Sequence, residues 1–165
     1  MCSSDLARVH GETAAGVQRA LIARVADAAI SAALARFVSE SPWSAIPATV
    51  RHEAQRATLN WLACALGGCC DDTVNRLHAA LGDFAGTAQA TLIGRGERSD
   101  ALTAALVNAV SSNVLDFDDT HLATVVHPTA VVAPALLALA EHRHSSGAEF
   151  LHALDRKSTR LNSSH

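Results

Sequence analysis

The chain has no tyrosine, four phenylalanines, two tryptophans and a single lysine, Lys157, so nearly all of its positive charge is carried by arginine. With aromatics at 4% and a net charge of −3, it offers neither the stacking side chains nor the basic stripe that a nucleic-acid surface needs. No apolar run reaches the length of a membrane span, and the opening residues carry no signal-peptide pattern. The four cysteines are Cys2, Cys64, Cys69 and Cys70. Adjacent Cys69 and Cys70 lack zinc-ligand spacing, so the expectation is reduced thiols in a cytoplasmic protein.

What the chain has instead is alanine, leucine and valine. Ala and Leu are good helix formers, and few residues favour strands, so the fold class expected is all-α, a helical bundle with at most one short strand. Apolar spacing predicts helices over residues 12–38, 48–66, 74–84, 101–115 and 129–143, and the start of a sixth over 148–154. Trp43 and Ile46 are the expected anchors of the break between the first two. Gly67 and Gly68 read as the stop of the second, Asp72 and Thr73 as caps of the third, and Ser99 or Asp100 as cap of the fourth. The fifth is apolar on both faces and is expected to be buried, with Pro134 kinking it or delaying its start. Residues 87–96 form the one strand-like stretch. Its Ile93-Gly94-Arg95-Gly96 is no phosphate loop, having no Lys-Ser/Thr pair and no preceding buried strand.

The two ends read differently. The last eleven residues, 155–165, are polar, lack periodicity and hold the only lysine. They resemble the translation of a common sequencing adapter, and residues 1–6 resemble the opposite one. Residues 7–154 are then the part to read for fold. The simpler alternative is a genuine polar tail.

Chemistry concentrates between the fourth and fifth predicted helices. From Asp116 to His127 lie three carboxylates (Asp116, Asp118, Asp119), two threonines and two imidazoles (His121, His127). Asp116 would stand at a helix C-terminus, where a carboxylate needs a partner or solvent. His127, held extended by Pro128, can present a ring nitrogen to the same cavity. An acid, a base and an orienting hydroxyl suffice to remove a proton beside a carboxylate and expel a leaving group. The plain alternative is a helix end capped by its own Asp and Thr side chains. Asp116-Phe117-Asp118-Asp119-Thr120 also fits the DxDxT of haloacid-dehalogenase phosphatases, but that motif follows a buried strand and here the spacing before it is helical. It fits the DxDDT acid that protonates polyprenoids, which calls for aromatic-lined repeats. A metal site from Asp116, Asp118, Asp119, His121 and His127 is chemically possible, with no second ligand group at helical spacing to support it.

Four segments in order resemble the MmgE/PrpD family, that of 2-methylcitrate dehydratase and cis-aconitate decarboxylase. They are Ala90-Thr91-Leu92-Ile93-Gly94-Arg95-Gly96, Asp100 through Asn108, Leu115-Asp116-Phe117-Asp118-Asp119-Thr120-His121, and Val126-His127-Pro128. The resemblance implies that residues 7–154 are the first portion of a large helical domain, with a smaller α+β lid domain inserted later in a longer chain. It implies a homodimer and a cleft between domains, with no metal, iron–sulfur cluster or organic cofactor. The partner it implies is a small di- or tricarboxylic acid, lost water or carbon dioxide being the outcome. It places active-site groups at Asp116, Thr120 and His127, and leaves packing or support to Asp118, Asp119 and His121. The family's further His, Lys and Tyr groups would lie beyond Leu154, and residues 7–154 hold no lysine or tyrosine. Arg95 and Arg98 are the nearest cations, read as a solvated turn. The alternative function is a non-catalytic helical fragment or assembly module, or a family decarboxylase or epimerase.

Overall fold

The computed structural model describes residues 29–33, 35, 36, 39–122 and 125–162, the backbone alone beyond Asp155. Residues 1–41 and 42–165 form two separate units. In the first, the described residues between 29 and 40 are helical, and the rest of the predicted helix, including residues 12–28, lies outside the described residues.

The second unit runs as a 3-10 turn (Trp43–Ala45), α1 (Ala48–Gly68), α2 (Asp72–Leu81), a 3-10 turn (Gly82–Phe84), β1 (Ala90–Leu92), β2 (Glu97–Ser99), α3 (Ala101–Asn113), α4 (Pro128–Arg143) and α5 (Gly147–Asn162). The helical fold class holds. The strand-like stretch finds its partner within the chain: β1 pairs antiparallel with β2, Ala90 opposite Ser99 and Leu92 opposite Glu97. Gly94 and Gly96 take φ of 75° and 69°, the left-handed geometry a tight hairpin turn demands.

The central element is α3, packed against α1, α2, α4 and the hairpin. Asp100 caps its start, accepting from the Leu102 and Thr103 N–H groups at 3.1 and 3.0 Å. Apolar spacing puts Leu102, Ala105, Leu106, Ala109, Val110 and Val114 on one face, and the fully buried residues lie on another. Leu102 is 84% exposed, whereas Thr103, Ala104, Val107, Asn108, Ser111 and Ser112 are buried. Small and polar side chains suit this place for two reasons. Ser111 and Ser112 donate back to the carbonyls of Val107 and Ala109, so their hydroxyls are satisfied within the helix. Asn108 accepts from Ile93 N–H and donates to Thr91 C=O, both at 2.9 Å, and so pins β1 to α3. At the α1 crossing, a Cβ on Gly68 would stand 2.1 Å from the Ser111 carbonyl oxygen. Gly67 and Gly68 are the last two residues of α1, so the helix stops at them as expected, and Gly68 also serves a close helix approach.

Two apolar clusters lie on either side of this element. One joins Val74, Leu92, Ala104, Val107 and Ala138, and the other joins Trp61, Ala65, Ile93, Ala133 and Leu154. Ile46 is buried as expected; Trp43 is half-buried, edge-on to His152 and under the Arg51 guanidinium. Pro128 occupies the first turn of α4, and the helix runs on through Pro134 without a delayed start. One face of α4 is open, with Val131 72% exposed, which corrects the expectation of burial on both faces. The helix predicted to begin at residue 148 continues as α5 to Asn162, with no Gly or Pro after residue 147 to stop it. No helix among the described residues is long and apolar enough to cross a membrane.

Candidate functional site

The loop from α3 to α4 is built by turns that bury one side chain, Asp118, and leave most of the others exposed. After α3, the Asp116 N–H donates to Asn113 C=O at 2.9 Å and Asp116 takes φ +55°, a conformation Asp tolerates better than most residues. The Asn60 side chain on α1 donates to Phe117 C=O at 3.4 Å and ties the turn to the bundle. Further on, His121 and Val126 form an isolated antiparallel bridge, with His121 N–H donating to Val126 C=O at 2.8 Å. Val125, next to that bridge, has φ +52°; a β-branched residue there is strained, the kind of backbone that clusters at functional sites. His127 then takes φ −97° and ψ 85°, the non-helical geometry expected before proline, and Pro128 opens α4.

His127 is the hub. Its Nε2 lies 3.5 Å from Oδ1 of Asp116, and its Nδ1 lies 3.3 Å from Oδ2 of Asp118. The hydroxyl of Thr120 sits 3.4 Å from the same Nδ1 and donates to the Asp118 carbonyl at 3.3 Å. Asp116, Thr120 and His127, the three residues that the sequence singles out, are thus gathered around one imidazole ring. The two carboxylates differ sharply: the Asp118 side chain is 0% exposed and the Asp116 side chain 83% exposed. Asp118 is held from behind by the Asn113 amide, 3.4 and 3.3 Å from its two oxygens. Solvent gives Asp116 the relief that a carboxylate beyond a helix C-terminus needs.

Asp119 turns the other way and caps α4. It accepts from Thr129 N–H at 3.3 Å and from the Thr129 hydroxyl at 2.6 Å, supplying the cap that His127 does not make. That settles a supporting position for Asp119 on geometry. Asp118, for which packing or support is expected, is the buried one and touches the ring; the sequence shows three similar aspartates and no sign of which one is buried. Asn60 and Asn113 are further loop-holding side chains that the motif does not reveal, since Asn60 comes from a helix far away in sequence.

Asp116, Asp118 and His127 each present a ligand atom within 4.8 Å of the others. Three oxygen or nitrogen donors would leave a divalent cation to complete its shell with solvent or substrate. The ring's two nitrogens are each already matched by a carboxylate, which is the geometry of proton exchange as much as of ligation. Cys64, Cys69 and Cys70 are free thiols. Burial, then the nearby charges of Asp118 and Asp119, push the Cys64 thiol above its ordinary range, so it is a poor nucleophile. The arginines do not face the loop as anion binders: Arg95 donates to Cys69 C=O and Asn75, and Arg98 to Gln89 C=O and Thr91. Asp116 follows an α-helix and not a buried strand, which removes the aspartyl-phosphate reading of its motif.

Residues 32–155 match the MmgE/PrpD N-terminal domain. The chain is also 33% identical over 132 residues to the cis-aconitate decarboxylase-like protein oryM of Aspergillus oryzae, an alignment covering 76% of this chain and 27% of that protein. The chain thus spans about a quarter of the length of the curated relative it matches. With three quarters of its residues aligned and the signature loop folded around one histidine, the chain belongs to the MmgE/PrpD family.

Proposed function

We propose that this chain is the first helical portion of a longer lyase acting on a small di- or tricarboxylic acid, with His127 as the residue that moves the proton. The observation that carries this reading is the His127 ring set between an exposed and a buried carboxylate, with a hydroxyl beside it. In a dehydration, His127 would take the proton from the carbon next to a substrate carboxylate. The electron pair left behind forms the double bond, and the departing hydroxide leaves as water once Asp116 or a group it serves supplies a proton. In a decarboxylation, the bond to carbon dioxide breaks first and protonated His127 returns a proton to the same carbon. Thr120 orients the ring.

Two features support a longer parent. Substrate carboxylates need cations, and the two hairpin arginines are engaged elsewhere, Arg95 by Cys69 C=O and Asn75, Arg98 by Gln89 C=O and Thr91. The relative named a cis-aconitate decarboxylase-like protein is a much longer chain. On this reading the parent is a homodimer that needs no metal or organic cofactor, and the 165-residue chain alone turns over nothing. The test is a panel of small di- and tricarboxylic acids incubated in deuterium oxide with the full-length parent. Release of water or carbon dioxide, with deuterium exchanged at the carbon beside a carboxylate, is expected. No turnover and no exchange with any acid of the panel contradicts it.

A further inference from the structure

Two carboxylates flank His127, and the atoms around its ring determine which nitrogen carries the proton. Among the described residues, both groups beside Nδ1 can accept its hydrogen. Oδ2 of Asp118 stands 3.3 Å away and has no hydrogen to give as a carboxylate. The Thr120 hydroxyl, 3.4 Å away, has one hydrogen and an acceptor for it in the Asp118 carbonyl at 3.3 Å, which lets it turn a lone pair to the ring. On the other side, the contact of Nε2 among the described residues is the Asp116 carboxylate at 3.5 Å, on a side chain 83% exposed and therefore screened by water. A hydrogen bond to a fully buried carboxylate, in a low-dielectric pocket, outweighs one to a solvated carboxylate.

We infer that Asp118 is a positioning residue: it holds neutral His127 as the Nδ1–H tautomer and leaves Nε2, on the open side beside Asp116, as the one atom that takes the substrate proton. This rests on the proton-transfer role proposed for His127. Asn113 belongs to the same device, because its amide donates to both Asp118 oxygens and keeps that carboxylate aimed at the ring. The division of labour follows: Asp118 and Thr120 fix the ring from behind, and Asp116 shares the working face with the substrate. A carboxylate that serves only to fill space or to hold the loop would leave the tautomer to Asp116, the other acceptor.

The inference is tested without turnover, on the 165-residue chain. Long-range nitrogen–proton correlation spectra at about pH 8.5, above the ordinary histidine range, report which ring nitrogen is protonated. His127 is assigned by its loss in His127→Ala. The wild type is expected to show Nδ1–H, and Asp116→Ala is expected to keep it. Asp118→Asn, which keeps the shape but removes the charge, and Asp118→Ala are both expected to move the population toward Nε2–H. An Nε2–H wild type, or an Asp118→Asn spectrum identical to wild type, overturns the inference even if Asp118→Ala does not fold. In the full-length enzyme, Asp118→Asn should lower kcat about a hundredfold with KM within a few-fold. An inactive His127→Ala beside a fully active Asp118→Asn sinks this inference alone, whereas an active His127→Ala sinks the functional reading beneath it.

Discussion

Single polar side chains do much of the positioning in this bundle. Asp100 accepts from three N–H groups, those of Leu102, Thr103 and Gly86. Hydrogen bonds from Thr103 and then Gly86 hold its carboxyl well below the usual carboxylate range. The folded pKa lies below the unfolded one, near 3.9, so this contribution is complete above about pH 4 and is lost as pH falls below it. Asp100→Asn keeps a competent cap without the charge. It is expected to flatten the fall in denaturation midpoint between about pH 4 and pH 2, and an unchanged acid slope contradicts that. Asn108 is the second such residue. Asn108→Ala leaves the Ile93 N–H and the Thr91 C=O without their partner, for an expected loss of about 2–4 kcal/mol in urea unfolding. The site's density of Asp, Thr and His was readable from the sequence, and so were the three residues around the ring. Which aspartate is buried was not, because burial of Asp118 depends on Asn113 and on how the loop turns at Asp116 with its left-handed backbone.

Helices were predicted well in place and less well in orientation. Spacing located α1, α3 and α4 to within a few residues because their apolar positions are many. For α3, spacing marks the leucine face as the core, whereas the crossing with α1 selects small side chains. Leu59 on α1 and Leu102 on α3 are 70% and 84% exposed, while Gly68 and Ser111 meet at the contact. Gly68→Ala is therefore expected to cost about 1–3 kcal/mol by overpacking, despite alanine's higher helix propensity, with thermal unfolding as the readout. A Gly68→Ala protein as stable as wild type would mean that the helices do not approach so closely. One further signal lies in the sequence: Ser146-Gly147-Ala148-Glu149 is a capping box. Ser146 N–H donates to the Glu149 carboxylate at 2.7 Å, and Glu149 N–H donates to the Ser146 hydroxyl at 3.3 Å. It sets the start of α5 one residue before the predicted 148.

Across the second unit, exposed apolar side chains fall on three helices and the site loop: Leu59 and Leu66 on α1, Leu102 and Leu106 on α3, Val131 on α4, and Phe117 and Leu122 on the loop. Apolar surface in that quantity is covered in a stable assembly. The 165-residue chain is accordingly expected to self-associate and to bind an apolar dye, as size-exclusion chromatography and dye fluorescence would show. A compact monomer that binds no dye contradicts that expectation. The family and the helical fold were reachable from four short motifs in order. Substrate choice was not, since the carboxylate-binding cations of the proposed lyase would come from chain beyond these residues. The deciding measurement is turnover of the full-length parent carrying His127→Ala on its best small polycarboxylic acid. A fall of about a hundredfold or more in kcat, with the protein still folded, is the expected result. Near-normal turnover would remove His127 from the chemistry and leave the loop as a folded helix connection.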